Sequence, residues 1–168
     1  MPSAPQSPEV RFAFEADIEP LGAIWFNGWH EAHAQLMPLE LTRVRTLASF
    51  RDRIQEALPT VRVVGETGRP LGLCMVRADE LYQLFISPVA RGTGAAAALI
   101  ADAERHIAAS GVEIAWLACA IGNDRAARFY EKAGWHNAGV MLNRVTTSAG
   151  EFAVDVWRFE KRVRGVGS

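Results

Sequence analysis

Apolar residues recur early in the chain at Leu21, Ile24, Trp25 and Trp29, the three-and-four spacing of a helix with one buried face. Asp17 is a candidate N-cap for this helix, with Glu19 and Pro20 in its first turn. The helix is expected to run to about His33, before Pro38. A second helix is predicted from about Thr42 to Ala57, stopped by Pro59. Val10–Phe14 reads as a short strand ahead of both. The pattern then changes period: Val61–Glu66 and Leu71–Val76 flank Thr67-Gly68-Arg69-Pro70, a hairpin signal, and Leu81–Ile86 follows as another strand. Helical spacing returns over Ala95–Ser110, where Leu99, Ala103 and Ile107 share a face and Gly111 marks the stop. Val112–Ala120 is an apolar strand and Arg125–Ala133 a short helix ended by Gly134. His136–Val145 and Phe152–Lys161 read as an antiparallel pair around Ser148-Ala149-Gly150. The order β-α-α-β-β-β-α-β-α-β-β gives an α/β (α+β) fold class.

At 168 residues, with no internal repeat or linker, the chain fits one domain over about residues 10–162. Residues 1–9 and 163–168 read as loose ends; the first nine carry three prolines and neither a cationic start nor an apolar run, unlike a secretion signal. A composition of 49% hydrophobic and 22% charged residues is that of a soluble globule. The net charge of −1 argues against nucleic acid as a partner. No apolar stretch approaches the ~18 residues that a membrane-spanning helix needs. Cys74 and Cys119 both sit in apolar strands and read as buried thiols rather than a disulfide framework. A cytoplasmic protein is expected.

The segment with the most chemical content joins the strand Leu81–Ile86 to the helix from Ala95 through Ser87-Pro88 and Arg91-Gly92-Thr93-Gly94-Ala95-Ala96. A strand, a glycine loop and a helix start in that order form an anion cradle. Glycines let backbone N–H groups approach a phosphate, and the helix dipole adds partial positive charge. About thirty residues on stands Asn123-Asp124-Arg125-Ala126-Ala127-Arg128-Phe129-Tyr130-Glu131-Lys132-Ala133-Gly134-Trp135.

With both segments in order, the chain resembles the GCN5-related N-acetyltransferase (GNAT) family. Arg91, Gly94 and Ala96 meet its Arg/Gln-x-x-Gly-x-Gly/Ala loop pattern, and Asn123, Ala126, Ala127, Phe129, Tyr130, Gly134 and Trp135 fill the second. The resemblance covers roughly residues 60–160 and is weak before them. It implies a mostly antiparallel central sheet flanked by helices, with two strands splayed at the cofactor site. It also implies acetyl-CoA as donor and an amine of a small molecule or peptide as acceptor, with transfer direct rather than through a covalent enzyme intermediate. Family members are commonly dimers, so a homodimer is an expectation too, with Trp157 and the basic end Lys161-Arg162-Val163-Arg164 as a hint of a contact surface.

The family's residue roles carry over as follows. The backbone near Leu84, Phe85 and Ile86 would pair with the pantetheine arm as an added strand, and N–H groups near Ile86 would polarise the acetyl carbonyl. The amides of Arg91, Gly92, Thr93, Gly94, Ala95 and Ala96 would hold the pyrophosphate. Asn123 would hold the pantetheine or acetyl end; a helix cap is its structural reading, compatible with the first. Tyr130 would protonate the departing thiolate; otherwise it is a core tyrosine. Glu80 would accept a proton from the acceptor amine through water, or else is a solvated strand-end carboxylate. Trp29, His30, Glu31 and His33 would wall the acceptor pocket.

Two departures from the family pattern stand out. The strand Trp116-Leu117-Ala118-Cys119-Ala120-Ile121-Gly122 lacks the Glu often found in enzymes that act on protein N-termini, and Thr93 replaces a frequent basic residue. His30 and His33 flank Glu31 at i, i+3 rather than the i, i+4 of a zinc helix, so no metal is expected. A dinucleotide-binding reading fails on the order of elements and on the lack of a ribose-binding acid. A non-catalytic acyl-CoA sensor is the competing reading, against which an intact Tyr130 weighs.

Overall fold

The computed structural model describes residues 8–164; of the expected loose ends, residues 1–7 and 165–168 lie outside the described residues. Its helices are α1 (Ile18–His33), α2 (Leu39–Val44), α3 (Leu47–Ala57), α4 (Ala95–Ala109) and α5 (Asp124–Lys132). The strands are β1 (Val10–Phe12), β2 (Arg62–Glu66), β3 (Arg69–Arg77), β4 (Glu80–Ile86), β5 (Ile114–Ala120), β6 (His136–Thr147) and β7 (Gly150–Arg162). They form one seven-stranded sheet in the order β1-β2-β3-β4-β5-β7-β6. All neighbours run antiparallel except β4 and β5, which are parallel. The fold class is therefore the expected mostly antiparallel sheet flanked by helices.

The helices cover both faces of the sheet. Leu99, Ala103 and Ile107 of α4 share a buried cluster with Leu81, Leu117, Trp135 and Phe159, and α5 adds Ala127 to it. On the other face Leu21, Trp25 and Trp29 of α1 pack with Phe50 and Ile54 of α3 and with Leu73 and Met75 of β3. Gly28 sets how closely α1 approaches the sheet, since a Cβ there would lie 2.6 Å from Cδ1 of Phe85.

Three details differ from the sequence reading. The single helix expected over residues 42–57 is two, α2 and α3, broken at Arg45-Thr46. The Thr46 side chain accepts from the Ser49 N–H at 3.1 Å and restarts the helix. The Arg45 carbonyl leaves helical geometry and accepts from His30 Nε2 at 2.7 Å instead. Asp17 is not a side-chain cap for α1. Its carboxylate, with no exposed surface, accepts from Arg11 Nη1 and Nη2 at 2.8 and 3.0 Å and from the N–H groups of Phe14 and Gly68, each at 2.8 Å. Trp157 is half-buried against the core rather than exposed. Lys161 and Arg162 of the basic end are engaged by Glu104 and Glu113. Among the described residues no helix is long and apolar enough to cross a membrane.

Asp17 ties β1, the entry to α1 and the β2–β3 turn to one buried carboxylate. Burial by itself would raise its pKa. The Arg11 guanidinium and the two N–H donors outweigh burial and hold it below the usual 3.8. Its contribution to stability is therefore complete above that unfolded value and is lost as pH falls through the lower folded value. Asp17→Ala is expected to lower unfolding free energy by about 3 kcal/mol, read as a lower urea midpoint at pH 7, with the gap to wild type closing below pH 4.

Candidate active site

The parallel contact between β4 and β5 consists of one residue pair, Glu80 with Trp116. Just beyond it β4 carries a bulge: Leu81 pairs with Val76 and Gln83 with Met75, leaving Tyr82 as the extra residue. A bulge bends its strand and increases its twist, and past Tyr82 the two strands separate. The Ser87 N–H donates to the Leu71 carbonyl at 2.8 Å. By the two-residue alternation of a ladder, Phe85 then turns its backbone toward β3, while Leu84 and Ile86 turn theirs into the gap. No strand pairs with them there among the described residues.

The gap opens onto the glycine loop. The Arg91 N–H donates to the Pro88 carbonyl at 3.3 Å and the Thr93 N–H to the Ala90 carbonyl at 3.2 Å, so two of the six expected amides are used within the loop. Those of Gly92, Gly94, Ala95 and Ala96 have no hydrogen-bond partner among the described residues. Gly92 and Gly94 have φ of 78° and 86°, which glycine adopts without a steric penalty. A Cβ on Gly92 would meet nothing within 4 Å. The result is an open concavity of N–H groups at the start of a fifteen-residue helix. At its rim Glu31 holds the Arg91 guanidinium at 3.0 Å and lies 3.8 Å from that of Arg125. Glu31 thus faces the loop rather than an acceptor pocket.

Tyr130 of α5 packs against Phe159 and Trp135, with ring centroids 5.9 and 6.4 Å apart, in the same cluster as Leu84, Ile86 and Cys119. Burial, followed by the nearby Cys119 and Cys74 thiols, raises its pKa, so the phenol keeps its proton at neutral pH. Asn123 caps α5, its Oδ1 accepting from the Ala126 N–H at 3.4 Å. Burial, then Asp124, pushes the Cys119 thiol up to about 11, and it is no thiolate at neutral pH.

On the opposite face of the sheet lies a cavity of about 940 Å³, walled by α1, α2, α3, β4 and the β6–β7 hairpin. Trp29, His33 and Glu80 line it. His30 does not, because its ring is committed to the Arg45 carbonyl and stacks on Phe26 with centroids 4.4 Å apart. Burial raises the Glu80 pKa, Arg77 and Arg158 opposing and Asp79 adding to the shift. Three buried polar atoms on cavity-lining residues have no partner among the described residues: Trp25 Nε1, His33 Nδ1 and Arg45 Nε. A buried donor left unpaired costs about 1–3 kcal/mol; Trp25 Nε1 and Arg45 Nε can only donate, whereas the neutral His33 ring has one acceptor nitrogen and the Trp29 carbonyl nearby. Among the described residues no cluster of side chains suits a metal ion.

Residues 26–135 match the model of the acetyltransferase (GNAT) family. The chain belongs to this family. An uncharacterized N-acetyltransferase of Mycobacterium tuberculosis is 33% identical over 103 residues, covering 58% of this chain and 66% of that relative. The chain thus spans just under two thirds of the relative's length. Among solved structures, a GCN5-related N-acetyltransferase from Rhodopseudomonas palustris is similar in fold, with a TM-score of 0.70 at 19% identity over 96% of this chain and 99% of the other. YncA of Salmonella typhimurium, solved with its cofactor acetyl-CoA, gives a TM-score of 0.62 at 15% identity over 97% and 98% of the two chains.

Within this GNAT chain, sequence reading missed Arg45, Arg53, Tyr82 and Trp116. Arg45 stood inside what read as one continuous helix, where an arginine is ordinarily solvated. The one available signal was Thr46 with Ser49 three residues on, a cap pattern in mid-helix.

His33 offers a direct check on the cavity. Burial lowers its pKa to about 4, a shift that the Trp29 carbonyl one turn back only partly opposes. Its neutral form is favoured in the folded state, so the associated stability is present above the unfolded value of 6.5 and lost as pH falls toward 4. In an NMR titration its ring protons are expected to keep neutral-imidazole shifts from pH 8 down to pH 5. A midpoint near 6.5 would contradict the described burial.

Proposed function

We propose that this protein is an acetyl-CoA-dependent N-acetyltransferase acting on a primary amine of a small molecule or peptide. The observation that carries the reading is the parting of β4 from β5 directly above a loop of unpaired amides. The exposed backbone of Leu84 and Ile86 suits an extended amide-bearing arm, and the loop amides suit a pyrophosphate. Four of the six loop amides are available for that role, whereas Phe85 turns its backbone to β3 and packs its ring against α1 at Gly28 and His33. Asn123 has Nδ2 left over from capping α5 and can donate to the same arm. Acetyl-CoA, when bound, supplies an acetyl thioester. That YncA, a neighbour in fold, was solved with acetyl-CoA supports the same donor here.

The chain's own groups divide the remaining chemistry. Tyr130 holds a proton for the departing sulfur, and its raised pKa keeps that proton in place until it is needed. Glu80 stands at the last paired residue before the strands diverge and lines the acceptor cavity. Its raised pKa makes it a better base for an ammonium group. Ile86 directs its N–H into the gap, where it can polarise the acetyl carbonyl. Cys119, held as a thiol, favours direct transfer over a covalent relay. Two buried free cysteines are in keeping with a cytoplasmic setting.

Tyr130→Phe is expected to lower kcat about a hundredfold while leaving the Kd for acetyl-CoA in calorimetric titration within about twofold. An unchanged kcat would remove Tyr130 from the mechanism. Binding of acetyl-CoA without CoA-thiol release for any amine in a broad panel would favour the sensor reading. No binding at millimolar acetyl-CoA would reject both.

A further inference from the structure

The acceptor cavity is basic at its inner end. Arg45 is 7% exposed, has Nε buried without a partner among the described residues, and lines the cavity from the break between α2 and α3. Arg53 lines it from α3, with its guanidinium 4.1 Å from the centre of the Trp25 ring and its Nη2 donating to the Tyr82 hydroxyl at 2.8 Å. Arg77, itself exposed, lies over the half-buried Tyr82 ring, 3.5 Å from its centre. No carboxylate among the described residues comes within 4.0 Å of any of these guanidinium groups. Of the acids that line the cavity, Asp52 and Glu56 are exposed at its rim, whereas Glu80 is half-buried and close enough to Arg77 for that guanidinium to oppose its pKa rise.

One buried and one half-buried guanidinium group, Arg45 and Arg53, with no ion pair among the described residues are an uncommon arrangement, since buried charges are ordinarily paired. The unpaired atoms also share a chemical character. Arg45 Nε–H and Trp25 Nε1–H are donors that can never accept. A group that satisfies either must offer a lone pair, and beside two cations a negatively charged acceptor is favoured over a neutral one. Carboxylate and phosphate oxygens meet that description; an ammonium or an amide N–H does not. The rest of the lining, Trp29, Leu41 and Met75, is apolar and suits a carbon skeleton.

We infer that the acceptor amine carries an oxyanion, a carboxylate in the first instance, which docks on Arg45 and Arg53 with Trp25 as an added donor. The inference rests on the acetyltransferase reading and narrows its substrates to amines with an acidic group, such as amino acids or peptides with a free C-terminal carboxylate. It disfavours polyamines and other polycations, which would meet like charge inside the cavity.

The test compares acceptors that differ only in the anion: amino acids and dipeptides against their C-terminal amides, aminophosphonate counterparts, and spermidine, all scored by CoA-thiol release from acetyl-CoA. The acids are expected to exceed the amides in kcat/KM by about tenfold to a hundredfold. Arg45→Gln is expected to remove that advantage, the KM of the acids rising to the level of the amides. A purely structural Arg45 would depress both series alike. Higher rates with aminophosphonates than with carboxylates would uphold the oxyanion site and assign it to phosphate. Transfer to amides or spermidine at least as fast as to the acids would overturn the inference while leaving the acetyltransferase reading intact. Should no amine be acetylated, acids and amides compared by thermal shift with the wild-type protein still decide: stabilisation by the acids alone upholds the site, and equal or absent shifts overturn it.

Discussion

A sheet whose middle strands part leaves backbone donors and acceptors that a closed ladder would have satisfied. Here the parting is produced by one extra residue, Tyr82, in β4, and limited by one remaining pair, Glu80 with Trp116. The Trp116 side also holds the closed end of the gap through Asp79, whose carbonyl and carboxylate accept from the Trp116 N–H and Nε1 at 3.1 and 3.0 Å. From that hinge follow the exposed backbone of Leu84 and Ile86, the position of Glu80 at the apex, and the route by which an acyl group would pass from the α4 face of the sheet to the cavity on the α1 face. The bulge also brings Tyr82 and Gln83 together onto the cavity side, where Tyr82 meets Arg53 and Arg77.

Charge is arranged locally rather than globally. The chain as a whole carries a net −1, yet its two concave regions both present N–H donors: backbone amides in the loop, arginines in the cavity. The loop achieves this with neutral amides and a helix start, so that Arg91 is left to a surface pairing with Glu31, which Arg125 also approaches. The cavity does it with guanidinium groups, of whose acidic neighbours Asp52 and Glu56 are exposed and Glu80 is half-buried. An amide concavity costs little to keep unfilled because water reaches it. Buried guanidinium groups have no such relief, and burial and mutual repulsion with Arg53 bring the Arg45 pKa down to about 10.

The sequence revealed most where function is written in local geometry. The glycines at 92 and 94 are legible because both positions take a positive φ, which favours that residue type. The face of α4 is legible from its spacing, and the Asn123–Trp135 segment from residue types at fixed separations. What could not be read depends on contacts distant in sequence. Asp17 looked like a cap because caps are acidic, whereas its partners Arg11 and Gly68 come from another strand and a turn fifty-one residues on. Tyr82 carries no signature of a bulge, since the bulge exists only in the register of β4 against β3. Arg45 and Arg53 resemble surface arginines until the fold encloses them. His30 and Glu31 were grouped with Trp29 and His33 by adjacency, but successive helix residues point to different faces, and only the latter two reach the cavity.

The central claim is that the gap between β4 and β5 and the loop below it form one binding surface for an extended, pyrophosphate-bearing thioester. Residue-level amide hydrogen exchange, with and without acetyl-CoA, tests it most directly. The account predicts that the amides of Leu84, Ile86, Gly92, Gly94, Ala95 and Ala96 slow together on addition, while those of Arg91 and Thr93, already bonded within the loop, change little. Protection confined to another part of the sheet, or slowing in the loop without slowing at Leu84 and Ile86, would contradict it.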